Sequence, residues 1–266
     1  MLRLLKISIE TNLFIAFAAV AFLWSNIYLL DLYINSFWIL SLQVFFSTWF
    51  VYQISRWIYY KKGEYTNQEE LIVKWFQKHP KFNKITIYGS AVLTLVFTLF
   101  LKLKTIGVLC IIGGISVLYP IPVLKPFGVK TKLRDFPFIK IFLIAFVWST
   151  TSVILPLTES YEYLANRKDV LVVWLAQFIF ILFITIPFDI NDAEDDKAAS
   201  MKTIPAVFGI RASKFIALFL GLIYSFMMLF VFMLINWNHS PRKYLPDATI
   251  ILIWILLAFL QLYTFY

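Results

Sequence analysis

Between Pro187 and Gly209 the chain reads Pro-Phe-Asp-Ile-Asn-Asp-Ala-Glu-Asp-Asp-Lys-Ala-Ala-Ser-Met-Lys-Thr-Ile-Pro-Ala-Val-Phe-Gly. Five of these residues are acids, Asp189, Asp192, Glu194, Asp195 and Asp196, and they follow directly on an almost wholly apolar run, Val170–Pro187. If the helix predicted for that run continues through them, Asp189, Asp192 and Asp196 stand at i, i+3 and i+7 and share one face. Carboxylates crowded in this way repel one another and favour a divalent cation between them. Hard oxygen ligands suit Mg²⁺, especially where phosphate oxygens complete its shell. The same residues also read as a solvated acidic cap on a helix end, and taken alone they leave both readings open.

Positive charge to match lies in two other stretches. Tyr119–Lys140 carries Lys125, Lys130, Lys132, Arg134 and Lys140, enough cations to neutralise a diphosphate, between prolines that forbid a regular helix. Lys140 is followed by a continuous apolar run and must either snorkel or pair. At the end of the second apolar stretch, Tyr52 and Arg56 stand four apart on one helical face with Gln53 beside them. Arg56 reads either as a snorkelling side chain or as an anion ligand.

The elements that must position these groups are membrane helices. The chain has 266 residues, of which 61% are hydrophobic and 19% aromatic, and its mean hydropathy is +0.79. That balance excludes a soluble domain of this size. The net charge of +9 follows from membrane topology and points to no nucleic-acid partner. A single cysteine, Cys110, excludes an internal disulfide or a Cys-based metal site, and His79 and His239 read as surface residues. Eight spans are predicted, at about 11–31, 36–58, 84–102, 105–122, 137–156, 170–188, 214–236 and 248–266, each near the roughly 20 residues that cross a bilayer. With no linker or repeat between them they are expected to form one membrane-embedded domain, residues 1–266. Eighteen of the 24 lysines and arginines fall on the side of the N-terminus, the acidic cluster and the 59–83 connection. That side is therefore expected to be cytoplasmic, in a bacterial inner membrane. Within the connection, Gln68–Gln77 is predicted to form a short amphipathic helix with Leu71, Ile72, Trp75 and Phe76 on its apolar side.

Taken together, Asp189-Ile-Asn-Asp192-Ala-Glu-Asp-Asp196, then Lys202-Thr203-Ile-Pro205 and Gly209, resembles the second aspartate-rich motif of the UbiA-type membrane prenyltransferases. The Tyr119…Lys125 segment is similar to that family's diphosphate-contacting loop, and the likeness in topology runs from the first span to the seventh. The chain departs from the family at its first aspartate-rich motif, expected near Thr48–Arg56, because no acid occurs from Ser36 to Gly63. Arg56 offers a direct phosphate ligand where an Asp would need a bridging cation.

The resemblance implies an all-α bundle that binds a polyprenyl diphosphate and transfers its prenyl group to an aromatic or lipid acceptor. Asp189, Asp192 and Asp196 would hold Mg²⁺ and serve catalysis. Tyr52, Gln53, Arg56, Tyr119, Lys125 and Lys140 would contact the substrate. The missing first motif leaves a second expectation, a non-catalytic protein on the same fold that binds an isoprenoid or quinone, or assists assembly. A transporter would need charged residues in mid-membrane, which the spans lack.

Overall fold

The computed structural model describes residues 7–62, 70–119, 121, 136, 138–161, 168–198 and 202–238, and among these it is entirely helical. The chain divides into two compact units, Met1–Leu23 with Ile34–Leu133, and Trp24–Tyr33 with Arg134–Tyr266.

In the first unit, α2 (Phe37–Lys62) packs against α4 (Pro80–Thr98) and α5 (Leu103–Leu118), following α1 (Leu13–Leu29), whose first half belongs here. Pro80 opens α4 at a position where a missing N–H costs nothing. The predicted surface helix is α3, Glu70–Lys78. Its Phe76 is buried, its Trp75 ring lies 4.8 Å from His79 and 5.3 Å from Phe82, and Asn83 Nδ2 donates to the Phe76 carbonyl at 3.1 Å.

The second unit is built around α8 (Lys168–Asn191), which packs α6 (Ile139–Ser149) on one side and α10 (Ile204–Asn238) on another. Val170, Val173, Ala176, Phe180 and Ile186 of α8 and Ile141 and Ala145 of α6 form its core. Gly221 lets α10 approach closely, since a Cβ there would lie 3.2 Å from the Phe183 ring. The helix that begins with α6 widens into a π turn, Thr150–Ile154, before α7 (Leu155–Glu159). Pro156 explains the widening: its ring clashes with a carbonyl of the preceding turn, and the wider turn makes room for it. The Trp174 indole donates to Thr150 Oγ1 there at 3.2 Å.

Among the described residues, four helical stretches are long and apolar enough to cross a membrane, Phe37–Ile58, Ile139–Glu159, Asp169–Asn191 and Ile204–Val231. Leu13–Leu29 and Leu103–Leu118 are apolar but shorter. The helix at the third predicted span, Pro80–Thr98, starts among polar residues and is not one of the four. The eighth predicted span, 248–266, lies outside the described residues. Phe215, Leu218, Phe219, Leu222, Phe226 and Leu229 of α10 are exposed at three- and four-residue spacing, the pattern of a face turned to lipid. The protein is an integral membrane protein with an all-helical fold.

Candidate functional site

The acids close α8. Pro187 lies one turn before its end, and α8 stops at Asn191; Asp192 forms a turn, and α9 (Ala193–Ala198) carries the rest of the motif. Helical bonding nonetheless runs through the bend, from Asp192 N–H to the Phe188 carbonyl at 3.1 Å and from Asp196 N–H to the Asp192 carbonyl at 2.8 Å. The consequence is close to the predicted common face. Asp189 and Asp196 are 1% and 2% exposed, and Asp192 is half-buried.

Lys140 meets this face from α6. Its Nζ lies 2.6 Å from Asp189 Oδ1, and the ammonium also feels the charges of Asp196 and Asp192, while Asp196 and Asp189 repel each other. A charge-assisted bond this short is the strong kind, and the apolar setting leaves little water to weaken it. It does not use up the site. Asp189 Oδ2, Asp196 Oδ2 and the hydroxyl of buried Thr203 have no hydrogen-bond partner among the described residues. Since a buried acceptor without a partner is costly, three in one neighbourhood imply a ligand that supplies the missing partners.

A hollow of about 250 Å³, open solvent included, is lined by Lys140, Asp189, Lys202, Thr203, Phe136, Phe138, Ile141 and Ile204. Two backbone features shape it. Phe138, the residue before α6, takes a left-handed conformation (φ 59°) and donates its N–H to the Lys202 carbonyl at 3.1 Å, tying the start of α6 to the start of α10. Gly209, at φ 82° and ψ 162°, breaks α10 after its first turn. No neighbour would touch a Cβ there, so the position asks for glycine by conformation alone.

In the first unit, Trp49, Gln53 and Arg56 form a stripe along α2 that grips the backbone just before α1. Trp49 Nε1 donates to the Thr11 carbonyl at 2.8 Å, Gln53 Nε2 donates to the same carbonyl at 3.1 Å and to Thr86 Oγ1 at 3.4 Å, and Gln53 Oε1 accepts from Asn12 Nδ2 at 3.4 Å. Arg56 donates to the carbonyls of Ile9 and Glu10, each at 3.3 Å. The window expected to contact substrate thus anchors the N-terminal segment, and Gln53 is fully buried doing so. Tyr52 is half-buried on the same helix; Tyr119, also half-buried, follows α5 with its N–H on the Ile115 carbonyl; Lys125 lies outside the described residues.

A family model described as the UbiA prenyltransferase family matches residues 79–266, most of the chain and all of the acidic site. The chain belongs to the UbiA prenyltransferase family. Solved structures agree on the fold. A UbiA homologue from Archaeoglobus fulgidus bound to GPP and Mg²⁺ superposes with a TM-score of 0.65 at 14% identity, over 94% of this chain and 86% of that one. The homologue bound to DMAPP and Mg²⁺ gives 0.63 at 15% identity with the same coverage, and its Cd²⁺-bound form gives 0.60 at 15% over 94% and 87%. No curated protein matches the sequence.

Whether this UbiA chain's own residues suit a divalent cation can be judged from its acids. Among the described residues, no three His, Cys, Asp or Glu side chains are gathered closely enough to make a cage. Mg²⁺ seldom needs one, because it commonly takes one or two carboxylates and completes its shell with water and phosphate oxygens. Asp189 Oδ2 and Asp196 Oδ2, buried and partnerless, are donors of that kind. The residues fit. Sequence reasoning named Thr203 only as part of a motif and passed over Phe138, whose conformation is set by a bond to a residue 64 positions later.

Proposed function

We propose that this protein is a Mg²⁺-dependent prenyltransferase, acting as one membrane-embedded domain, that moves the prenyl group of a polyprenyl diphosphate to an aromatic or lipid acceptor in the membrane. The observation that carries this reading is the hollow where the Lys140 ammonium, the buried Asp189 carboxylate with one free oxygen and the Thr203 hydroxyl come together, with buried Asp196 close enough for Asp189 to feel its charge. That set suits a phosphate-rich ligand arriving with a cation, and suits an apolar lipid poorly.

Asp189 and Asp196 would hold the cation, with Asp192 adding charge from its half-buried position. Mg²⁺, when bound, supplies Lewis-acid stabilisation of the charge that develops on the departing diphosphate. Lys140 and Lys202 donate to phosphate oxygens, and Thr203 adds a hydroxyl. Tyr119 and Lys125 keep the diphosphate-contacting role that the family resemblance implies. Breaking the carbon–oxygen bond leaves an allylic cation, which water would quench, so the apolar flanks of α6 and α8 serve by excluding it. The rings of Phe146, Trp174 and Phe178 on these helices, with centroids 6.1 and 5.6 Å apart in sequence, offer negative faces to such a cation. The distribution of lysine and arginine supports a cytoplasmic position for this chemistry, in what we read as a bacterial inner membrane.

One observation favours a second reading. Gln53 and Arg56, at the place of the family's first acidic motif, are engaged with backbone carbonyls, as a non-catalytic isoprenoid- or quinone-binding or assembly protein would permit. Membranes carrying the protein, given labelled prenyl diphosphates of several lengths, separate the two. Release of diphosphate that disappears in Asp196→Asn supports transfer, whereas retention of label without release at any length supports the non-catalytic protein.

A further inference from the structure

Resting on the reading above, a property of Lys140 goes beyond it. We propose that the Lys140 ammonium is the resident cation of the acidic site, so that a divalent metal is held only when a diphosphate arrives to take the ammonium from Asp189. The geometry is that of an internal substitute. Nζ sits 2.6 Å from Asp189 Oδ1, and Asp189 is 1% exposed against 18% for the lysine side chain, so the carboxylate is closed in while the lysine side chain is in part open to the outside. Lys140 stands second in α6, two residues after Phe138, whose N–H is pinned to the Lys202 carbonyl, and its backbone is therefore fixed while its long side chain can swing.

The rest of the site is consistent with a cation that must move. Lys140 is close enough to feel all three motif acids, so one ammonium offsets the repulsion between Asp189 and Asp196. The enclosed part of the hollow has room for about one water or ion. A metal entering by itself would stand beside the ammonium, like charge against like charge, with one oxygen of Asp189 already taken by the lysine and only its second oxygen and Asp196 Oδ2 free to receive it. A diphosphate changes the balance. Its oxygens accept from Lys140 and from the partnerless Thr203 hydroxyl, releasing Asp189 Oδ1 as well as Oδ2 to the metal. Metal and diphosphate then raise each other's affinity by the same factor, as linkage requires.

The test uses the full chain in detergent, with Mn²⁺ as the probe and no diphosphate present. Lys140→Met is expected to bind Mn²⁺ more tightly than wild type by roughly 10- to 100-fold, the equivalent of one charge-assisted hydrogen bond. Lys140→Arg, which keeps the cation, should stay near wild type, and Lys140→Met with Asp189→Asn should lose the gain. Should Lys140→Met fail to fold, the wild type decides. Mg²⁺ alone should leave its melting temperature unchanged, and Mg²⁺ with a prenyl diphosphate should raise it. The proposal is overturned if wild type binds Mn²⁺ as tightly as Lys140→Met, or if Mg²⁺ alone stabilises wild type as much as Mg²⁺ with the prenyl diphosphate. Loss of the prenyltransferase reading would look different: labelled prenyl diphosphate would not be retained by wild type with or without metal.

Discussion

Two polar regions are built into this apolar chain, and they are used in opposite ways. In the Trp49–Gln53–Arg56 stripe, donors meet acceptors the protein itself provides, the carbonyls of residues 9–11, and the oxygens left over nearby, on Asn12 and Asn83, belong to neutral amides. Around Asp189 the imbalance is of charge: two buried carboxylates and a half-buried third face a single close ammonium, and two carboxylate oxygens and a hydroxyl have nothing to bond. A balanced network holds a segment in place, while an unbalanced one is completed by a ligand. The difference between architecture and site here is whether the balance of charge closes.

The sharpest way to break the comparison is to remove a carboxylate. Asp196→Asn should lower prenyl-diphosphate turnover by at least about 100-fold with little loss of stability, since it removes a carboxylate proposed to hold the metal and leaves the backbone bond to Asp192 in place. In the stripe, Gln53→Leu should do the reverse. Losing the bonds to Thr11 and Asn12 is expected to destabilise the protein by about 1–3 kcal/mol, read as a lower melting temperature. Activity per folded molecule should hold. Thr203→Val, which deletes a partnerless hydroxyl, should leave stability unchanged or slightly raised and increase KM by roughly 3- to 10-fold. The smallest effect is that of Gly209→Ala, about 1 kcal/mol of strain from the positive φ, seen in thermal unfolding.

The acidic face was legible in the sequence because helical spacing fixes which residues share a side, and Asp189 and Asp196 obey that spacing even across the bend at Asp192. Lys140 was legible because an ammonium entering an apolar helix has few options, and here it pairs. Arg56 shows where such reading stops. A guanidinium at a membrane boundary seeks an oxygen, and residue type does not distinguish a phosphate from the carbonyls of Ile9 and Glu10. Thr203 and Phe138 show a further limit: a partnerless hydroxyl and a left-handed backbone are made by tertiary contacts, here the bond from Phe138 to Lys202, and leave no local signal. The helices themselves were placed well by apolar length. Their number as membrane spans is a separate matter: among the described residues four have the length and apolarity of a span, α1 and α5 are apolar but shorter, and the eighth expected span lies outside those residues.

The most direct test of the contrast is Mg²⁺-dependent retention of a labelled prenyl diphosphate by purified wild type, Asp196→Asn and Gln53→Leu, each corrected for folded protein. The expected result is retention by wild type and Gln53→Leu and its loss in Asp196→Asn. Retention that survives in Asp196→Asn but vanishes in Gln53→Leu would contradict the assignment of the site to the acidic hollow.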